Sequence, residues 1–402
     1  MSLIKDRTMP NVQDFTHATT ISEQFERAGI SRRSFMELCG KIAAAAPVGL
    51  ALTQTTSLSA MADTVGKAKR PSVVWLHFQD CTGCSETLLR TSAPDVADVI
   101  LNVISLDYHE TLMAASGYQA EAALNKAVKE NQGKFVLVVE GSIPTKEQGI
   151  YMKLAGKPAL DVLREVGSQA AAVIAIGSCA SWGGVASADP NPTGATGVDQ
   201  ILMNKPVVNL PGCPPNPYTF LGTVLEFVAL GKLPALDQFN RPKFAYDRLI
   251  HDHCPRRAHF DAGRFVKVFG DDGHRQGWCL YKMGCKGPAT HASCSTRHFN
   301  EVPDAWPIGI GAPCVGCTEK AVAFRIPIFQ TVDIQRPTPP EALPLINAKI
   351  GTVETAAAAV AGAIAGGIGG AYWMGSKKLP GNTPSGPEQD DSNKSNAAKS
   401  GE

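Results

Sequence analysis

The chain has 402 residues, enough for two domains with cores of their own. Its 38 basic and 37 acidic side chains leave a formal net charge of +1, which gives no reason to expect nucleic acid or an acidic substrate. Only 19% of residues are charged against 38 Gly and 28 Pro, so loops are plentiful, and eleven cysteines exceed what a packed core ordinarily uses.

The first predicted element is a leader, residues 1–62. Ser31-Arg32-Arg33-Ser34-Phe35-Met36 precedes an apolar run from Ile42 to Leu52, and Ala60-Met61-Ala62 stands before Asp63. A basic region, an apolar region and an A-x-A site in that order read as a signal peptide, and the Arg pair followed by Phe marks the twin-arginine type. Cys39 lies inside the leader, and ten cysteines follow it. Disulfides in an exported protein and soft metal ligation both account for ten thiols. The twin-arginine route carries chains that are already folded, which favours cofactors inserted before export.

Residues 70–236 alternate strand and helix. Ser72–Phe78, Val99–Leu106, Phe135–Glu140, Ala171–Ile176 and Pro206–Leu210 are short apolar runs of the kind buried on both faces of a parallel sheet. Helical stretches such as Gln119–Glu130 and Ala159–Val166 lie between them. The pattern predicts a doubly wound, flavodoxin-like α/β domain. Such sheets bind ligands beyond the carboxyl ends of their strands. Cys81-Thr82-Gly83-Cys84, Glu140-Gly141-Ser142, Gly177-Ser178-Cys179 and Pro211-Gly212-Cys213-Pro214-Pro215 all fall there. Four thiolates, from Cys81, Cys84, Cys179 and Cys213, are therefore expected to converge. Glu140 reads either as a proton-carrying or cluster-tuning carboxylate or as an ordinary surface-loop acid.

In residues 237–335 the apolar periodicity fades and Pro, Gly, His and Arg rise. An irregular domain is expected, one whose metal ligands contribute folding energy directly. Its first ligand set is His251, Cys254, Cys279 and Cys285. His253 competes for the place of His251, but it adjoins Cys254 and would project another way, whereas His251 at spacing three reaches the same face of a turn. The second is Cys294, Cys314 and Cys317. These three thiolates suit a [3Fe–4S] cluster, with Pro307 where a fourth ligand could have come; structural zinc is the alternative.

Thr355 to Ser376 are 22 uncharged residues, 14 of them Ala or Gly. As a helix they span about 33 Å, enough to cross a hydrocarbon core of about 30 Å. Gly362, Gly366 and Gly370 form a small-residue packing stripe, and Lys377-Lys378 suits a cytoplasmic flank. Residues 355–376 are thus expected to be a transmembrane anchor, and 377–402 a disordered cytoplasmic tail.

These features together resemble the small, electron-transfer subunit of membrane-bound respiratory [NiFe] hydrogenases. The motifs that carry the resemblance are C-T-G-C-S-E (Cys81–Glu86), G-S-C-A-S-W-G-G (Gly177–Gly184), P-G-C-P-P-N-P (Pro211–Pro217), H-D-H-C (His251–Cys254), W-C-L-Y-K-M-G-C-K-G-P (Trp278–Pro288) and P-C-V-G-C (Pro313–Cys317). The resemblance implies a proximal [4Fe–4S] on Cys81, Cys84, Cys179 and Cys213. It also implies a medial [3Fe–4S] on Cys294, Cys314 and Cys317, and a distal [4Fe–4S] on His251, Cys254, Cys279 and Cys285. In that family a separate large subunit holds the nickel–iron site. This chain is then expected to take electrons from it and pass them to a membrane cytochrome b or another iron–sulfur partner, and on to quinone, from the periplasmic side of the inner membrane. Oxygen-tolerant members carry two further cysteines where this chain has Gly83 and Gly184, so the resemblance is to the oxygen-sensitive type. The competing readings are a complex I-like electron-transfer subunit and an exported protein stabilised by disulfides or zinc.

Overall fold

The computed structural model describes residues 70–334, apart from 92–94, 231–232, 300–301 and 333. The predicted leader, the span 355–376 and the tail lie outside the described residues. Among the described residues no helix is long and apolar enough to cross a membrane.

Five parallel strands form one sheet: β1 Ser72–His77, β2 Ser105–His109, β3 Val136–Glu140, β4 Ala172–Ile176 and β5 Val207–Leu210. Their order across the sheet is β2-β1-β3-β4-β5, the order of flavodoxin-like folds. Side chains alternate faces along each strand. Val73, Trp75, Val136, Val138, Ile174 and Val208 enter one apolar core, while Val74, Leu76, Leu137, Val139, Val173 and Val207 enter another. Helices cover both. On the first face lie α1, Gly83–Leu89, through Leu88, and α5, Pro217–Leu230, through Phe220, Leu221 and Val224. On the second lie α2, Tyr118–Glu130, through Leu124 and Val128, and α3, Ala159–Gln169, through Leu160, Leu163 and Val166. Burial on both faces is why the strands read as unbroken apolar runs.

The register sets the stage for chemistry. His77 pairs with Glu140, Glu140 with Ile176 and Ile176 with Leu210, so four strands end in one row. The cysteine-bearing loops leave from that row.

One expected strand is corrected. Val99–Leu106 is not a single strand: Val96–Val103 is helical, and β2 begins only at Ser105. Asp95 starts the helix by accepting from the Asp98 N–H at 2.8 Å. Val99, Val103 and Ile104 are buried at the helix end and its junction with the strand, which made the two elements look like one. β2 ends in polar residues, Asp107-Tyr108-His109, that no apolar pattern marks.

Beyond α5 the described chain has short helical turns and isolated bridges, among them Leu249 with His291 and Phe265 with Cys279. Its core is small: Ile250, Val266, Leu280, Ala292, Trp306 and Ile308, completed by Cys285 and Cys314. Hydrogen bonds join it to the sheet. Ser178 Oγ donates to the Cys317 carbonyl at 2.6 Å. Within that region, the buried Arg241 guanidinium bonds Asp237 at 2.8 Å, Glu319 at 2.9 Å and the Thr318 carbonyl at 3.0 Å.

His109 ends β2 in a buried position, its ring centroid 5.1 Å from Trp75 and 4.8 Å from His77. Burial, then the charge of His77, pushes its pKa down to about 3. The neutral ring must take up a proton on unfolding at any pH between that value and the ordinary one near 6.5. Stability from this group is therefore full above pH 6.5 and is lost as pH falls toward 3, by up to about 1.4 kcal/mol per unit. Urea unfolding at pH 7 and pH 5 should show a smaller acid loss for His109→Asn than for the parent chain; an equal loss would discount His109.

Candidate metal centres

The first centre forms at the β1/β3 junction, where the strand order reverses and doubly wound sheets bind ligands. Cys81 and Cys84 follow β1, and Cys84 lies in the first turn of α1. Glu140 anchors that turn. Its carboxylate accepts the Cys84 N–H at 2.9 Å, the Ser85 N–H at 3.1 Å, the Ser85 hydroxyl at 2.6 Å and the Trp75 indole N–H at 3.1 Å. At 1% exposure it is not a surface-loop acid, and its charge sits where the first N–H groups of a helix lack partners.

Cys179 lies in α4, Gly177–Trp182, and Cys213 on the loop after β5. Ser178 ties the two loops: its N–H donates to the Gly212 carbonyl at 2.8 Å, and its hydroxyl accepts the Gly212 N–H at 3.0 Å. Beside the sulfurs, as they stand here, glycine leaves the room they occupy. A Cβ on Gly177 would stand 2.5 Å from Cys84 Sγ, and one on Gly184 2.4 Å from Cys179 Sγ, both at positive φ. The Cys84 thiol is pushed well above its ordinary pKa by burial, then by Glu140, Cys179, Cys213 and Cys81. All four sequence-predicted cysteines are therefore neighbours. Cys81 and Cys213 are exposed.

A second group surrounds a cavity lined by His251, Cys254, Cys279 and Cys285, with Arg256 and Ile308. His251 is buried in the turn Ile250–His253, and its Nε2 has no hydrogen-bond partner. Burial, with the Arg257 charge, lowers its pKa to about 4, leaving a neutral imidazole suited to ligation. His253 also has an unpartnered Nε2, but it lines a different cavity, with Lys243, Arg248, Ser293 and Arg297. The imidazole that shares space with the three sulfurs is that of His251.

The third group is Cys294, Cys314 and Cys317. Burial, then Cys314, pushes Cys294 to about 12. Burial, then Cys294 and Cys213, does the same for Cys317. Cys314 is raised further by burial, then by Cys285 and Cys317. The groups thus form a series, with Cys213 of the first facing Cys317 of the third, and Cys314 of the third facing Cys285 of the second.

All ten cysteines of the described residues are free thiols. Ten thiols in groups of four, three and three, with one orphaned neutral imidazole, fit soft-metal ligation. Burial opposes the thiolate, and a cation among the sulfurs reverses that preference.

Sequence reasoning missed the polar network behind the first group. His77 Nδ1 lies 2.6 Å from Asp80 and 3.8 Å from Glu140, and these carboxylates outweigh burial to raise its pKa. Ser85 Oγ links Glu140 to His109 Nε2 at 3.0 Å. These residues sit in or beside apolar strands, where only the strand-end row gives them a common place.

Residues 81–227 match the family profile described as NADH ubiquinone oxidoreductase, 20 Kd subunit, and residues 246–330 match the C-terminal profile of the NiFe/NiFeSe hydrogenase small subunit. The chain is 49% identical over 352 residues to the Hydrogenase-2 small chain of Escherichia coli K12, covering 87% of this chain and 93% of that one. It is 46% identical over 296 residues to the quinone-reactive Ni/Fe-hydrogenase small chain of Wolinella succinogenes, covering 73% and 82%. The fold is similar to a chain of the [NiFeSe] hydrogenase of Desulfovibrio vulgaris Hildenborough, with TM-score 0.60, 39% identity, and coverage of 65% of this chain and 98% of that chain.

The two imidazoles give a direct test. His251→Ala should lower the iron content of the purified protein and change the spectrum of one centre, while His253→Ala should leave both near the parent's. The reverse pattern would exchange their roles.

Proposed function

This chain belongs to the family of [NiFe] hydrogenase small subunits, and on that premise we propose how its residues serve electron transfer. It is the electron-transfer subunit of a hydrogenase heterodimer, relaying electrons from hydrogen oxidation at the large subunit's Ni–Fe site toward quinone. The observation that carries the detailed reading is the series of sulfur groups, with Cys213 facing Cys317 and Cys314 facing Cys285. Cys81, Cys84, Cys179 and Cys213 would hold a proximal [4Fe–4S] cluster, and Cys294, Cys314 and Cys317 a medial [3Fe–4S]. His251, Cys254, Cys279 and Cys285 would hold a distal [4Fe–4S]. Bound there, the clusters would supply one-electron carriers in a row.

The protein's part is to hold the ligands, to exclude water and to set the charge around them. Backbone N–H groups are aimed at sulfur, as from Tyr281 to Cys279 Sγ at 3.4 Å. Exposed Cys81 and Cys213 make the proximal end the face that docks on the large subunit. The complex I-like reading accounts only for the first half of the chain, since the second half matches the hydrogenase profile. We assign residues 1–62 to a twin-arginine leader and 355–376 to an anchor in the inner membrane. The heterodimer then stands on the periplasmic side and delivers electrons to a cytochrome b or an iron–sulfur membrane partner.

Truncation after Pro344 should give a soluble heterodimer that still reduces an artificial dye with hydrogen but delivers few electrons to quinone. If it stays with the membrane in cells lacking the membrane partner, the anchor is wrongly placed. Replacing Pro307 with Cys should offer the medial site a fourth thiolate, lower its potential and remove the [3Fe–4S] electron paramagnetic resonance signal. An unchanged signal in a cluster-loaded protein would put the vacant position elsewhere. Gly83 and Gly184 offer no sulfur beside Cys81 and Cys179, so hydrogen oxidation should cease under air-level oxygen and recover on reduction. Sustained current in film voltammetry under that oxygen would contradict this.

A further inference from the structure

Lys286 is one of the largest fully buried side chains of the protein, at 0% exposure. Its ammonium donates only to backbone carbonyls: Ile328 at 2.8 Å, Pro327 at 2.9 Å, Gly284 at 3.2 Å and Gln330 at 3.3 Å. Carbonyl oxygens solvate an ammonium but carry no net charge, so the positive charge is held without being neutralised. Arg241, another deeply buried cation among the described residues, is different, for Asp237 and Glu319 both pair with it.

The position of Lys286 gives that charge two audiences. It follows Cys285 of the distal group in sequence, and its N–H donates to the Cys314 carbonyl of the medial group at 2.8 Å. Its stem packs on the turn between Cys314 and Cys317, where a Cβ on Gly316 would meet Lys286 Cβ at 3.3 Å and Cδ at 3.4 Å. Burial lowers the pKa of its ammonium, and the sulfurs of Cys314 and Cys285 act against that. Arg256, by contrast, lines the cavity of the distal group.

We infer that Lys286 is a positioning residue for charge, a single buried cation that raises the reduction potentials of the medial and distal centres together. The inference rests on the cluster assignment proposed above. Each electron added to a centre increases its negative charge, and a fixed cation in a poorly screened interior favours that state. Keeping two adjacent centres under one charge prevents either from becoming a trap relative to the other.

The test is a redox titration of the purified heterodimer followed by electron paramagnetic resonance. In Lys286→Met, both medial and distal midpoints should fall, each by about a tenfold change in the reduction equilibrium, about 59 mV for one electron. Lys286→Arg should hold both near the parent's values, and Arg256→Gln should lower the distal midpoint alone. Because methionine takes one donor away from four carbonyls, Lys286→Gln serves as a second neutral variant that keeps an N–H group there. Unmoved midpoints in an iron-loaded neutral variant would overturn the inference, as would movement of one centre only. Loss of iron from both neutral variants would also overturn it and leave Lys286 as a clamp on residues 327–330. A parent protein lacking three iron–sulfur transitions would instead overturn the cluster assignment.

Discussion

The constraint on which this structure depends is the unfavourable burial of sulfur as thiolate. Ten thiols and an imidazole are gathered into three sets, and burial drives the pKa of most of the thiols upward and that of His251 down to about 4. In water those sulfurs would be ordinary weak acids; inside the protein they become ligands only when positive charge enters with them. Metal binding is then linked to deprotonation and to folding at once. This applies most to residues beyond α5, whose small core counts Cys285 and Cys314 among its buried members.

The sheet meets the same constraint differently. Its two apolar cores build a platform from ordinary side-chain burial, and the platform holds four loops in fixed relation. The row His77, Glu140, Ile176 and Leu210 is a consequence of parallel pairing in register. Glu140 then converts the platform into a site. One buried carboxylate satisfies the backbone N–H groups of Cys84 and Ser85, fixing the turn that carries a ligand. The glycines at 177 and 184 follow from the same crowding, because sulfur occupies the space a Cβ would need.

The two halves are coupled by contacts that pass directly behind the sulfurs. Ser178 holds the β4 and β5 loops together and also bonds the Cys317 carbonyl, so the first and third sulfur groups share one support. Within the second half, Arg241, Glu319 and Asp237 form a buried ion cluster next to Thr318. Such a cluster need not add stability over an apolar core, but it fixes one arrangement because breaking any pair strands a charge. Rigid support of this kind suits electron transfer, in which the carriers must keep their separation and surroundings.

By itself the sequence determined most of the fold class and the candidate ligands. Strands buried on both faces leave continuous apolar runs, and cysteines at strand ends with C-x-x-C spacing are legible residue by residue. Short-range patterns carried those signals. What the pattern could not divide was Val99–Leu106, since a buried helix end and a buried strand have the same composition when they abut. Spacing favoured His251 over His253, because three residues before Cys254 is the same face of a turn; which cavity each ring enters was left to tertiary structure. The role of Glu140 as a buried anchor, the order of the three sulfur sets and the carbonyl cage of Lys286 were likewise left to tertiary structure. Each depends on groups distant in sequence, 56 residues from Cys84 to Glu140 and 42 from Lys286 to Ile328, and only the packed chain brings such groups together.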